Sequence, residues 1–284
     1  MKTMYTIIAG GLGLTCMCSS ISLGYVPQEL TASAINEDLI KEVSERSQGF
    51  EELECLKFRV DFWVDIYTKY DSNQALVINA HTLKIHEILN WPSDKKARNK
   101  LYKTMSLKYK NENIKIQQGI KSKFEAGIKR YENNLGKIVH DELKKAGLPK
   151  ELALLPHVES SYENKATSKV RAIGIYQIMY YWARKMGLKN YAQLRDPDIA
   201  AKVAIRILNN DYEDLQSWPL TITAWNQGRG AMMRAKSMHG DNVCKIIDEY
   251  DGRTFGYSGE NFFSAFLAVI RIVEEREIGL YRLY

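Results

Sequence analysis

The chain has 284 residues, of which 45% are apolar and 26% charged, which is ordinary globular usage and ample for a hydrophobic core. Six prolines and no low-complexity tract exclude a mostly disordered chain, and four cysteines exclude a disulfide-dense mini-scaffold. The net charge of +6 suits an anionic partner without choosing one.

Residues 1–23 contain no acidic side chain and one basic one, Lys2, followed by an apolar stretch from Ile7 to Leu14. This pattern predicts a secretory signal with a thin positive start, and it is too short and glycine-rich for a good membrane span. Cleavage after Gly24 puts Ser22 and Gly24 at the small-residue positions, making 1–24 the signal and the mature protein exported, periplasmic or secreted. Two alternatives stay open: lipid attachment at Cys16 or Cys18, with peripheral or lipid-anchored membrane association, and a buried N-terminal helix. Once the signal is removed, Cys55 and Cys244 remain. In an oxidising compartment they either pair, closing a long loop, or stay as separate buried thiols.

Along the mature chain, Asn36-Glu-Asp-Leu predicts a capped helix to about Gln48. A second helix is expected over 51–70, where Phe58, Phe62, Ile66 and Tyr70 recur at four-residue steps beside Val60 and Trp63. Asp71-Ser-Asn breaks it. Short runs at 74–79 and 82–88 predict one β-hairpin, the only clear β signal. From Pro92 the pattern turns helical. Between Lys95 and Arg130 there are twelve basic residues and two acidic ones, a local charge of +10. Ile116, Ile120, Phe124 and Ile128 are read as one apolar face, leaving the lysines to form either a solvated face or a handle for an anionic polymer. Nucleic acid is not expected, because the aromatic residues here form no stacking array. Beyond Tyr131, helices are expected at about 134–146, capped by Gly147 and Pro149, then at 151–160, 173–186, 198–215, 220–225, 230–239 and 260–279.

The chemistry concentrates in 146–162. Glu159 ends a run containing Leu152, Leu154, Leu155, Pro156 and Val158. A carboxyl among such neighbours is partly desolvated, which raises its pKa and lets it donate a proton near neutral pH. The plainer reading of these residue types is a solvated or capping glutamate.

Residues 138–270 resemble the catalytic domain of family 1 lytic transglycosylases, close to the membrane-bound murein transglycosylase D type and akin to goose-type lysozyme. The resemblance is carried by four segments in order. They are Gly147-Leu-Pro through Leu-Leu-Pro-His-Val-Glu159-Ser160, Gly174-Ile-Tyr-Gln-Ile-Met179, Ala224-Trp-Asn-Gln-Gly228 and Asn261-Phe-Phe-Ser-Ala-Phe-Leu-Ala268. Upstream, Phe62-Trp-Val-Asp-Ile-Tyr67 also resembles the N-terminal region of that type. The resemblance implies a mainly α fold. A lysozyme-like, two-lobed helical domain over 135–284 would be preceded by a helical region over 25–134 that holds the hairpin. It implies cleavage of the β-1,4 bond between N-acetylmuramic acid and N-acetylglucosamine in peptidoglycan glycan strands, with no metal and no cofactor. One glutamate serves as acid and then as base, and the C6 hydroxyl closes on C1 to leave a 1,6-anhydro sugar. No second carboxylate stands in a matching motif; Glu163, Asp196 and Asp198 read as surface charge.

Carried over by position, Glu159 is the acid/base and Ser160 shapes the end of its helix. Ser168 and Gln177 bond the sugar near the cleavage point, Met179 lines the groove, and Asn226 orients substrate or backbone. Tyr176 and Trp225 fall in the same substrate-binding segments. Plainer alternatives are a core role for Met179, turn chemistry for Asn226 and a surface amide for Gln177. The sequence departs from the family at Tyr176, at Tyr180-Tyr181 after the methionine, at Trp225 in place of a tyrosine, and at Ser258 and Phe262 with Glu260 between them. Trp225 and Phe262 each remove a phenol hydroxyl, which suggests altered recognition at the sugar 2-position, such as N-deacetylated glycan, or water in place of the C6 hydroxyl. A non-catalytic wall-binding module is the alternative.

Overall fold

The structure, a computed structural model, describes residues 49–284. The signal sequence and the helix expected at 36–48 lie outside the described residues. The chain is mainly helical with one small sheet. After a tight turn at Glu54–Leu56 comes α1 (Lys57–Thr68), then β1 (Gln74–Asn79), β2 (Ile85–Asn90), α2 (Lys95–Lys108), β3 (Ile114–Gln118) and α3 (Lys121–Arg130). A kink at Asn133 and Asn134, the latter at φ 94°, leads into α4 (Gly136–Lys145). The remaining helices are α5 (Leu155–Ser160), α6 (Tyr180–Lys185), α7 (Pro197–Leu215), α8 (Trp218–Gln227), α9 (Arg229–His239), α10 (Val243–Glu249), α11 (Tyr257–Glu275) and α12 (Gly279–Leu283).

Three expectations are corrected. The hairpin is two strands of a three-stranded antiparallel sheet of order β2-β1-β3. Ile114-Lys-Ile-Gln-Gln is a strand, although it had been counted into a helical face. The four-residue spacing of Ile116 and Ile120 crosses the strand–helix junction at Gly119, whose Cα lies so close to the chain that a Cβ would sit 2.4 Å from the Asp71 carbonyl. The buried face of α1 is also rotated from the reading. Val60, Trp63, Ile66 and Tyr67 are fully covered, while Phe58 is 47% exposed. The helix expected over 173–186 exists only as α6. Residues 167–178 instead form two isolated bridges, Thr167 to Ile173 and Ile173 to Ile178, with Gly174 and Gln177 at positive φ.

One core runs through both halves of the chain. It joins Val60, Trp63 and Phe124 to Leu152, Leu155, Ile175, Leu208, Trp218 and Phe266. Helix α11 is its spine, with fourteen buried residues, and α1 packs along it. The pairing of α1 with α11 is held by polar bonds as well as by apolar area. The buried Arg59 donates to Asn261 Oδ1 at 3.2 Å, Trp63 Nε1 reaches the same oxygen at 3.5 Å, and Asn261 donates back to the Tyr257 carbonyl at 2.8 Å. Glu260 faces Arg59 at 4.0 Å and His81 at 3.7 Å, while Tyr257 donates to Gln117 on β3 at 3.2 Å. Cys55, just before α1, is disulfide-bonded to Cys244 on α10 with 6.2 Å between Cα atoms. The N-terminal elements are thus anchored to the helical half by a covalent bond, a polar network and shared core. Among the described residues no helix is long and apolar enough to cross a membrane.

Candidate active site

Helix α4 ends as its sequence requires. Gly147 takes φ 63°, Leu148 N bonds the Leu143 carbonyl at 3.0 Å and Pro149 follows, a glycine-terminated cap. The chain then makes a tight turn through Lys150–Leu154 and enters the short α5, opened by Pro156 and stopped by Ser161 and Tyr162 in the left-handed region. Glu159 sits one residue from the end of α5. Leu154, Leu155, Pro156 and Val158 are buried beside it, while Glu159 itself stays partly accessible. The carboxyl is thus enclosed by apolar neighbours while the residue keeps some accessible surface.

Burial pushes the Glu159 carboxyl up from the ordinary 4.5 to about 8, against the pull of a hydrogen bond with Trp225 on α8 that favours the charged form. The indole N–H is the only donor Trp225 has, so it donates and a carboxyl oxygen accepts. The ring of Trp225 lies 5.9 Å from that of Tyr176, so the two aromatic departures meet beside the glutamate. The Tyr176 hydroxyl is buried without a partner. Tyr67 on α1 completes this surrounding. Its phenol is held well above its usual range, first by burial and then by the nearby Glu159 charge, and its ring packs 4.7 Å from Phe124. Phe124 in turn lies 5.4 Å from His157, two residues before Glu159. Sequence reasoning did not pick out Tyr67 as a site residue, although it closes the Phe62–Tyr67 segment already noted.

The other candidates divide into two groups. Ser160 is buried beside the glutamate, donates to the Ile175 carbonyl at 2.8 Å and accepts from Glu163 N at 3.1 Å. It ties the end of α5 to the 174–179 segment. Gln177 is partly exposed and donates through Nε2 to the Gly174 carbonyl at 2.8 Å. Met179 is partly exposed at the start of α6. Ser168 turns inward on its own loop, accepting from Ala172 N at 2.9 Å. Asn226 is buried, with its amide 2.6 Å from that of Gln227. Gln227 in turn donates to the Thr254 carbonyl at 2.9 Å and accepts from Gly259 N at 3.2 Å, bracing α8 against the start of α11. Phe262 is fully covered by the core.

The neighbouring carboxylates have structural partners. Glu163 pairs with Arg130 at 2.8 Å, Asp196 caps α7, and Asp198 pairs with Lys202 at 2.6 Å. Among the described residues no group of three or more His, Cys, Asp or Glu side chains could hold a metal.

Residues 137–245 match the family described as the transglycosylase SLT domain. The segments around Glu159, Gln177 and Asn226 fall inside the match, whereas α1 and α11 lie outside it. Membrane-bound lytic murein transglycosylase D of Escherichia coli strain K12 is 39% identical over 100 residues, covering 33% of this chain and 22% of that protein. The chain thus spans about a fifth of the length of the curated relatives it matches. Among solved structures, an inactive variant of the lytic transglycosylase Slt of Pseudomonas aeruginosa is similar at a TM-score of 0.40 and 18% identity, covering 50% of this chain and 24% of that one. The 70 kDa soluble lytic transglycosylase of Escherichia coli is similar at a TM-score of 0.40 and 17% identity, covering 52% and 24%.

Proposed function

We propose that this chain is an exported peptidoglycan lytic transglycosylase, cutting the β-1,4 bond between N-acetylmuramic acid and N-acetylglucosamine. Residues 135–284 carry the chemistry and 49–134 build one wall of the site. The observation that supports this most is the convergence of separate segments on one half-buried carboxyl: α5 presents Glu159, α8 brings Trp225, the 174–179 turn brings Tyr176, and α1 brings Tyr67. With its pKa near 8, Glu159 is protonated at neutral pH and can give its proton to the leaving glycosidic oxygen as the C1–O bond breaks. The resulting carboxylate, steadied by the Trp225 N–H, takes the proton of the C6 hydroxyl as that oxygen closes on C1. The bond made and the bond broken balance, and Glu159 ends protonated as it began. That one glutamate serves both steps is part of this proposal, supported by the burial that raises its pKa and by the Trp225 bond that favours its charged form.

The same geometry favours altered recognition at the sugar 2-position. An indole donor stands where the family has a phenol, and the orphaned Tyr176 hydroxyl lies against that indole. A buried polar group without a partner favours a ligand that supplies one. N-deacetylated glycan is the altered substrate proposed, on the ground that the aromatic lining beside Glu159 differs from the family's. Mass spectrometry of fragments from native and N-deacetylated sacculi tests both points. Anhydro-ended fragments that vanish in Glu159→Gln are the expected result; reducing-ended fragments would replace ring closure by hydrolysis, and no fragment from either wall would refute cutting. Equal or better cutting of acetylated wall would overturn the altered specificity.

A further inference from the structure

Residues 164–195 hold seven lysine or arginine side chains and no carboxylate, in a chain whose charges otherwise nearly balance. The segment folds as one braced unit. Thr167, Ile173 and Ile178 bridge within it, Tyr191 donates its hydroxyl to the carbonyls of Ile178, at 2.9 Å, and Arg171, and the rings of Tyr180 and Tyr191 meet edge-on at 5.4 Å. Ser160 fastens this unit to α5 through the Ile175 carbonyl. On its outside Tyr180 is 55% and Tyr181 46% exposed. Lys185 lies over the rings of Tyr181 at 5.9 Å and Trp182 at 5.2 Å. Two adjacent exposed rings with a cation beside them offer a surface to which a ligand with an apolar face can pack.

We propose that the N-terminal end of α6 with the 168–171 loop is a strand-binding subsite for peptidoglycan beyond the cleavage point, rested on the function proposed above. Tyr180 and Tyr181 follow directly on Met179 at the start of α6, Tyr191 joins Tyr180 to the Arg171 carbonyl, and Ser160 ties the same unit to the helix that carries Glu159, so rings and loop form one exposed face attached to the candidate site. Pyranose rings carry an apolar face of C–H groups that packs on an aromatic face, and the ring's polar edge stays in water. The basic side chains, Lys169 and Arg171 foremost, face the carboxylates of the peptide stems that such a strand carries, through charge-assisted contacts that salt weakens.

The test uses the full chain bearing Glu159→Gln, so that nothing is cut. Binding is titrated with long glycan strands, with the same strands stripped of peptides by an amidase, and with single disaccharide units. Tyr180→Ala with Tyr181→Ala is expected to weaken binding of long strands about tenfold and of disaccharides far less, with Tyr→Phe at both positions restoring it. Lys169→Ala with Arg171→Ala is expected to weaken only the peptide-bearing strands, and only at low salt. Unchanged long-strand affinity, or an equal loss for short and long ligands, overturns the subsite. So does affinity that follows anionic phospholipid vesicles instead of glycan. Cutting by the unmutated chain is scored separately: strand-length dependence without cutting refutes the enzyme and leaves the subsite standing.

Discussion

Glu159 should weaken the fold as pH rises, and Glu159→Gln should remove that weakness. The unfolded carboxyl titrates near 4.5 and the folded one near 8. A folded pKa raised above the unfolded value means the folded state binds more protons between the two, so stability falls as pH climbs through that window. At pH 4 both states are protonated and the group is neutral to stability. At pH 7 the unfolded carboxyl has ionised and the folded one has not. About two and a half units then count against the fold, which is about 3 kcal/mol at roughly 1.4 kcal/mol per unit. Above pH 8 the folded group ionises too and the cost levels off near 5 kcal/mol, an order-of-magnitude figure. Gln keeps the shape and an acceptor for the Trp225 indole but carries no titration. Urea unfolding of both proteins at pH 4, 5.5, 7 and 8.5 checks this. The variant is expected to match the parent at pH 4 and exceed it by about 3 kcal/mol at pH 7, while losing all cleavage. A stability difference that does not grow across this range would refute the desolvated glutamate, and the acid mechanism with it.

Trp225→Phe removes the one bond that favours ionised Glu159. The alkaline limb of the pH–rate profile should move up by about one unit, as a hydrogen bond to a charged group contributes about 1.5–3 kcal/mol; an unmoved limb counts against the bond. Cys55 and Cys244 stand 189 residues apart in sequence, so their bond closes a long loop. Replacing both by Ser should cost about 5 kcal/mol by the chain-entropy account, read by urea unfolding, and reductant should shift the parent but not the variant. Gly174→Ala would put a Cβ 2.0 Å from the Leu194 carbonyl at φ 78°. Displacement of the 174–179 turn, seen as lower activity with a lower Tm, is expected, and a variant as active and stable as the parent would contradict the packing described.

The site was more legible in the sequence than the frame around it. The carboxyl at the end of an apolar run is a local pattern, and the structure places Leu154, Leu155, Pro156 and Val158 about it in a helix of six residues. The cap at Gly147 with Pro149 was legible for the same reason, whereas Asp196, read as surface charge, proves to cap α7. What failed was pairing. Ile114–Gln118 becomes a strand because β1 offers it an antiparallel edge, which no window over 95–130 contains. The 173–179 run has helical composition, but bridges from Thr167 and the tight approach of Gly174 to Leu194 hold it open. Tyr67 was missed because its role depends on α1 docking along α11, a contact across two hundred residues.

That docking bears on how the departures are tolerated. Trp225 and Phe262 remove two phenols, and Phe262 is now wholly within the core. Position 260 instead supplies a carboxylate that faces Arg59 and His81, while Asn261 accepts from both Arg59 and Trp63. The start of α11 is therefore engaged with α1. Helix α1 carries Tyr67, whose phenol senses the Glu159 charge. Tyr67 thus reaches the surroundings of Glu159 from outside residues 137–245. Residues 137–245 alone would keep Glu159 and Trp225 but lose Tyr67, Phe124, the disulfide and the whole of α11. That piece should be both less stable and less active than the whole chain, in contrast to a domain that holds all its phenols within its own fold.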